Sequence, residues 1–212
     1  MSQNTEKLIK TAFILSIITI VYNLIEGGIS VYFGMQDDTL TLFGFGVDSF
    51  VEVISGVGIA HMLIRMKKSI SISKDNFEKK ALKITGFSFY LLTVGLIFGA
   101  VVNVIDEVKP VTTIPGLVIS ILSILTMYFL MSAKLKVGKK LNSDAIIADA
   151  NCTKTCLQLS VILLLSSLLY QFFQILYIDA IGSMAIAWLS FMEGKESFEK
   201  AARSDFKCCD ND

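Results

Sequence analysis

Two pairs of ligand-type side chains recur at one spacing in this chain. LFGFGVDSFVEVIS (42–55) sets Asp48 and Glu52 four residues apart in an otherwise apolar run, and IIADANCTKTCLQLSVILL (146–164) does the same with Cys152 and Cys156. On a helix, residues i and i+4 share a face about 6 Å apart along the axis, so each pair can address one point. Asp149 falls on the cysteine face at i, i+3, i+7. Two carboxylates and two thiolates can surround a divalent ion tetrahedrally, and thiolate softness favours zinc or cadmium over magnesium or calcium. The plainer alternatives are a protonated acid pair that fixes packing and cysteines that serve as small apolar packers.

The elements that must carry these pairs are membrane helices. Hydrophobic residues make up 53% of the 212 residues and charged residues 18%, too apolar a balance for one soluble core. Six apolar runs are long enough to cross a hydrocarbon layer of about 30 Å: 10–34, 39–66, 80–105, 112–134, 142–170 and 174–194. The fold class expected is therefore all-α, a polytopic membrane protein of six helices, with the transport domain over 1–195 and a short cytoplasmic tail over 196–212. The first run is too long for a signal-peptide core and lacks a cleavage site. Pro110 and Pro115 mark the start of the fourth helix, and Asn142 or Ser143 in LNSD can cap the fifth.

Net charge is zero, with 19 basic and 19 acidic residues, but the bases cluster before the first helix, between the second and third, between the fourth and fifth, and after the sixth. By the positive-inside rule both termini are cytoplasmic. The clusters read as topology signals touching lipid headgroups, not as a nucleic-acid surface.

A central Asp opposes membrane insertion by about 2.5–3.5 kcal/mol, so Asp48 and Glu52 need compensation. The second helix runs inward and the fifth outward, which puts Asp48 and Cys152 each roughly 15 Å in from opposite faces. In that antiparallel register Glu52 comes level with Cys152, and Asp48 with Cys156.

GFGVDSFVEV and ADANCTKTC, with Asn23 in the first helix and YIDAIGSMAIAWL at the sixth, resemble the cation diffusion facilitator family of metal/proton antiporters, closest to its short bacterial "cation transporter" branch and to vesicular zinc transporters. The resemblance implies efflux of a divalent metal in exchange for protons, a homodimer in a bacterial or archaeal plasma membrane, and no enzymatic cofactor. Position by position it carries the family's second-helix pair onto Asp48 and Glu52, and its fifth-helix pair, commonly His then Asp, onto Cys152 and Cys156. The cysteines depart from that pattern toward softer ions. The branch lacks the family's cytoplasmic C-terminal domain.

Other polar residues have accessory readings. Glu26, one turn beyond Asn23, is placed to relay protons or to pair with Lys154. Lys154 itself lies about 200° around its helix from both cysteines and faces away from them. Asp179 reads as a capping and packing residue. His61 is a candidate access-path ligand, and Cys208 with Cys209 in the tail could collect thiophilic metal from a reducing cytosol. Two rival functions remain open. A thiol oxidoreductase would cycle Cys152 and Cys156, although i, i+4 spacing holds their Cα atoms about 6 Å apart, marginal for a bridge. A scaffold or simple channel would use no metal.

Overall fold

The computed structural model describes residues 3–67, 76–141, 144–175 and 177–202. They form six helices in order: α1 (Gln3–Gln36), α2 (Leu40–Lys67), α3 (Asn76–Ile105), α4 (Ile114–Leu141), α5 (Asp144–Phe173) and α6 (Ile178–Ala202). No strand occurs among the described residues, as the all-α reading requires. Five helices are long and apolar enough to span a membrane: Glu6–Gln36, Leu40–Arg65, Leu82–Ile105, Ile114–Leu141 and Asp149–Phe173. The sixth long helix, α6, turns polar after Met192 and continues unbroken to Ala202. Residues such as Phe98, Phe129 and Trp188 are about two-thirds exposed on the outer faces. A soluble monomer does not display that much contiguous apolar surface; this is an integral membrane protein. The Asn142 and Ser143 cap and the tail cysteines lie outside the described residues.

Helix ends are set by backbone geometry. Asp38 and Glu107 adopt left-handed φ values of 52° and 51°. Beyond them Thr39 N–H donates to Gly34 O at 2.9 Å and Val108 N–H to Asn103 O at 3.0 Å, the 6→1 bond of a Schellman stop. Helix α2 then starts without a cap of its own. Asp179, at the head of α6, accepts from Leu40 N–H at 2.8 Å and Thr41 N–H at 3.1 Å, so the carboxylate satisfies two orphan donors of a different helix. The expected capping role holds, and its beneficiary is α2.

The helices associate mainly as α1 with α2, α3 with α6, and α4 with α5. Close approach through small residues makes this possible where lipid offers no hydrophobic drive between helices. A Cβ on Gly46 would stand 2.7 Å from Val31 N, and one on Gly34 2.5 Å from Phe43 N; only glycine lets α1 and α2 cross there. On α6 the inward face reads Gly182, Ser183, Ile186, Ala187, Ser190, Gly194 and Ser197. One apolar cluster, including Leu42, Phe45, Leu96, Leu159, Leu163 and Ile186, fills the bundle between these faces, and a second, around Ala12, Met62, Leu63 and Ile146, closes its other end.

Candidate metal centre

Asp48 projects from the buried side of α2 with 1% exposure, and Phe45 and Ser49 beside it are fully buried. Glu52, one turn on, is half-buried. Across the bundle α5 presents Cys156, also 1% exposed. One ligand atom from each of Asp48, Glu52 and Cys156 lies within 4.8 Å of the others, and Cys156 Sγ hydrogen-bonds Glu52 Oε2. Helix α1 closes the cluster: Asn23 Nδ2 donates to Glu52 Oε2 at 2.9 Å. Two buried oxygens here, Asp48 Oδ1 and Asn23 Oδ1, have no hydrogen-bond partner. A buried polar atom left so costs about 1–3 kcal/mol.

The register differs from the antiparallel expectation by about one turn. Glu52 meets Cys156, whereas Cys152 lies nearer the N-terminal end of α5, outside the cluster, with its Sγ 3.8 Å from Lys200 Nζ. The reason is the long α6. Its polar end lies along α5, where Thr155 donates to Glu193 Oε1 at 2.7 Å and Lys200 Nζ reaches Cys152 Sγ, so the turn bearing Cys152 faces α6.

Asp149 is also occupied elsewhere. Its Oδ1 accepts from Lys134 Nζ at 3.0 Å and its Oδ2 from Ser16 Oγ at 3.2 Å. Lys134 Nζ donates in addition to Thr153 Oγ1 at 3.0 Å. Lys134 on α4 is thus a buried cation within the bundle. Lys154 is exposed, and the pairing expected between it and Glu26 does not form. Glu26 accepts from Tyr22 Oη at 2.9 Å and from Ser49 Oγ at 3.4 Å, because hydroxyls on α1 and α2 surround it. Ser160 Oγ, 2.8 Å from both Ser123 Oγ and the Cys156 carbonyl, adds polar lining between α4 and α5. His61 sits half-buried near the C-terminal end of α2, apart from the cluster.

Neither Lys134 nor Glu193 stands out in the sequence as a site residue. A signal for the lysine existed. Ser123, Met127, Leu130, Lys134 and Val137 are all buried positions of α4, and their alternating steps of four and three put Lys134 on the inward face.

The family model for the cation efflux transmembrane domain matches residues 12–204. The chain belongs to the cation efflux family. This is the cation diffusion facilitator family that the motifs resemble. An uncharacterized transporter of the archaeon Methanocaldococcus jannaschii is 32% identical over 176 residues, covering 81% of this chain and 62% of that protein. The chain thus spans somewhat under two-thirds of the relative's length. Within the family match lie the acid pair, the cysteine pair and the Lys134–Asp149 bridge alike, so the cluster belongs to the transmembrane domain itself.

Proposed function

We propose that this family member is a proton-coupled exporter of a divalent transition metal, zinc or cadmium foremost, that binds the ion in mid-membrane at Asp48, Glu52 and Cys156, with Cys152 one turn away. One observation carries the proposal: two acids and a thiol from two helices converge within 4.8 Å inside an apolar bundle. Uncompensated, such a set opposes membrane insertion. A divalent ion, or protons, resolves it. The same chemistry supplies coupling, since thiols and carboxylates bind metal only when deprotonated, so each ion taken up releases protons and returning protons release the ion. Alternation of the helix pairs about a midplane site then exposes it to one side at a time. Both termini in the cytosol and a homodimer complete the proposal.

The test is flux in proteoliposomes with a metal-sensitive dye and an imposed pH gradient, comparing zinc, cadmium, cobalt and manganese. Zinc or cadmium flux that Asp48→Ala and Cys156→Ala each reduce to the level of empty vesicles is the expected result. Cys156→Asp keeps measurable flux and shifts preference away from cadmium, because a hard oxygen replaces a soft sulfur. A thiol oxidoreductase would lose all activity with that substitution, and a scaffold would pass no metal in any form.

A further inference from the structure

We propose that Asn23 of α1, and not Cys152, is the fourth donor to the ion held by Asp48, Glu52 and Cys156, so that the loaded site has three oxygens and one sulfur. This rests on reading the cluster as a metal-ion site. Three ligand atoms already meet there, and a tetrahedral ion needs a fourth. Cys152 lies outside that group with its sulfur beside Lys200 Nζ, and bringing it in would require α5 to turn away from the cation. Asn23 requires almost nothing. Its side chain is 1% exposed, its Nδ2 lies 2.9 Å from Glu52 Oε2, and its Oδ1 is without a partner.

The carboxamide torsion of Asn is broad and roughly two-fold. Half a turn exchanges Oδ1 and Nδ2, placing the amide oxygen where the nitrogen stands, beside Glu52. Ligand bonds of about 2.0–2.2 Å separate adjacent donors of a tetrahedron by about 3.3–3.6 Å, so the exchange needs only a small outward adjustment from 2.9 Å. Without the ion, the amide hydrogen-bonds Glu52; with the ion, the same group turns and ligates. The consequence is selectivity. A neutral amide oxygen in place of a second thiolate makes the site harder, admitting zinc and cobalt(II) on closer terms with cadmium than a two-sulfur site would.

The deciding measurement is zinc X-ray absorption on the full chain in lipid nanodiscs, together with the visible spectrum of the cobalt(II) form and zinc affinity by dye competition. Wild type should show one sulfur at about 2.3 Å and three oxygen or nitrogen donors at about 2.0–2.2 Å. Cys152→Ser should leave both spectra and the zinc affinity unchanged. Asn23→Leu should weaken zinc about tenfold or more and lower the cobalt(II) coordination number, while Asn23→Asp, which keeps an oxygen there, should bind. Two sulfurs in the wild type that fall to one in Cys152→Ser would overturn the role of Asn23 and leave the metal site standing. Unaltered binding by Asn23→Leu would do the same. If Asn23→Leu does not fold, the sulfur count of wild type and Cys152→Ser decides alone. A wild-type chain that takes up neither zinc nor cobalt would overturn the metal reading itself and this inference with it.

Discussion

Lys134 and Asp149 bring a full pair of opposite charges into the bundle, 1% and 7% exposed, and hydroxyls support it: Ser16 donates to Asp149 and Thr153 accepts from Lys134. Such a pair adds little net stability over apolar residues of the same shape, but removing one partner strands the other. Lys134→Met should therefore destabilise the protein by about 3–5 kcal/mol, read from unfolding in detergent, while Lys134→Met with Asp149→Leu should recover most of the loss. The single and double substitutions must differ for this account to stand. At this scale the sequence was half legible. That Asp48 and Glu52 share one face, and Cys152 and Cys156 another, was legible because it follows from helix pitch alone; that Cys156 and not Cys152 meets Glu52 was not, because it depends on how α5 packs. Which lysine goes inside was marked only weakly: Lys134 stands between Ala133 and Leu135 and Lys154 between Thr153 and Thr155, and it is the packed face of α4 that decides.

Among the elements, α2 depends most on a distant residue. Its first two amides, Leu40 and Thr41, are capped by Asp179, so the start of the helix bearing the acid pair is fixed only when α6 has docked. Thr41 Oγ1 also donates to the Asp179 carbonyl at 2.8 Å. Loss of a cap costs about 0.5–2 kcal/mol, and Asp179→Ala should fall in that range, with faster hydrogen exchange at the Leu40 and Thr41 amides and none at the far end of α2. Asp179→Asn, which retains one acceptor oxygen, should cost less. Equal exchange in wild type and Asp179→Ala would show that the cap is without effect. Helix existence was legible here because apolar runs of membrane length are unambiguous. Boundaries were less so: α3 starts at Asn76, before the apolar run at 80, and α4 outlasts its run to Leu141, since backbone hydrogen bonding carries a helix past the hydrocarbon layer into polar sequence.

Across the whole molecule the pairing of helices was hidden, because helices apolar all round carry no stripe to mark a partner; glycine and serine positions such as Gly46 and Gly194, read only in three dimensions, decide which faces meet. The shift of Cys152 toward Lys200 follows from that packing and not from the local motif. The assembled bundle makes one further demand on the proposed cycle. Glu52 and Cys156 share a proton in the hydrogen bond that closes the cluster, and an ion taking both atoms must displace it together with any proton on Asp48. Binding is then opposed by acid: affinity falls as pH falls, by roughly one decade per pH unit for each proton displaced, and about one to three protons are available from these groups. The ion should load from the more alkaline side and be released into the more acidic one. Proteoliposomes with an acidic lumen should therefore accumulate zinc, reversing the gradient should reverse the net movement, and a protonophore should abolish both. Zinc accumulation indifferent to the sign of the gradient would mean that Glu52 and Cys156 bind the ion without exchanging protons for it.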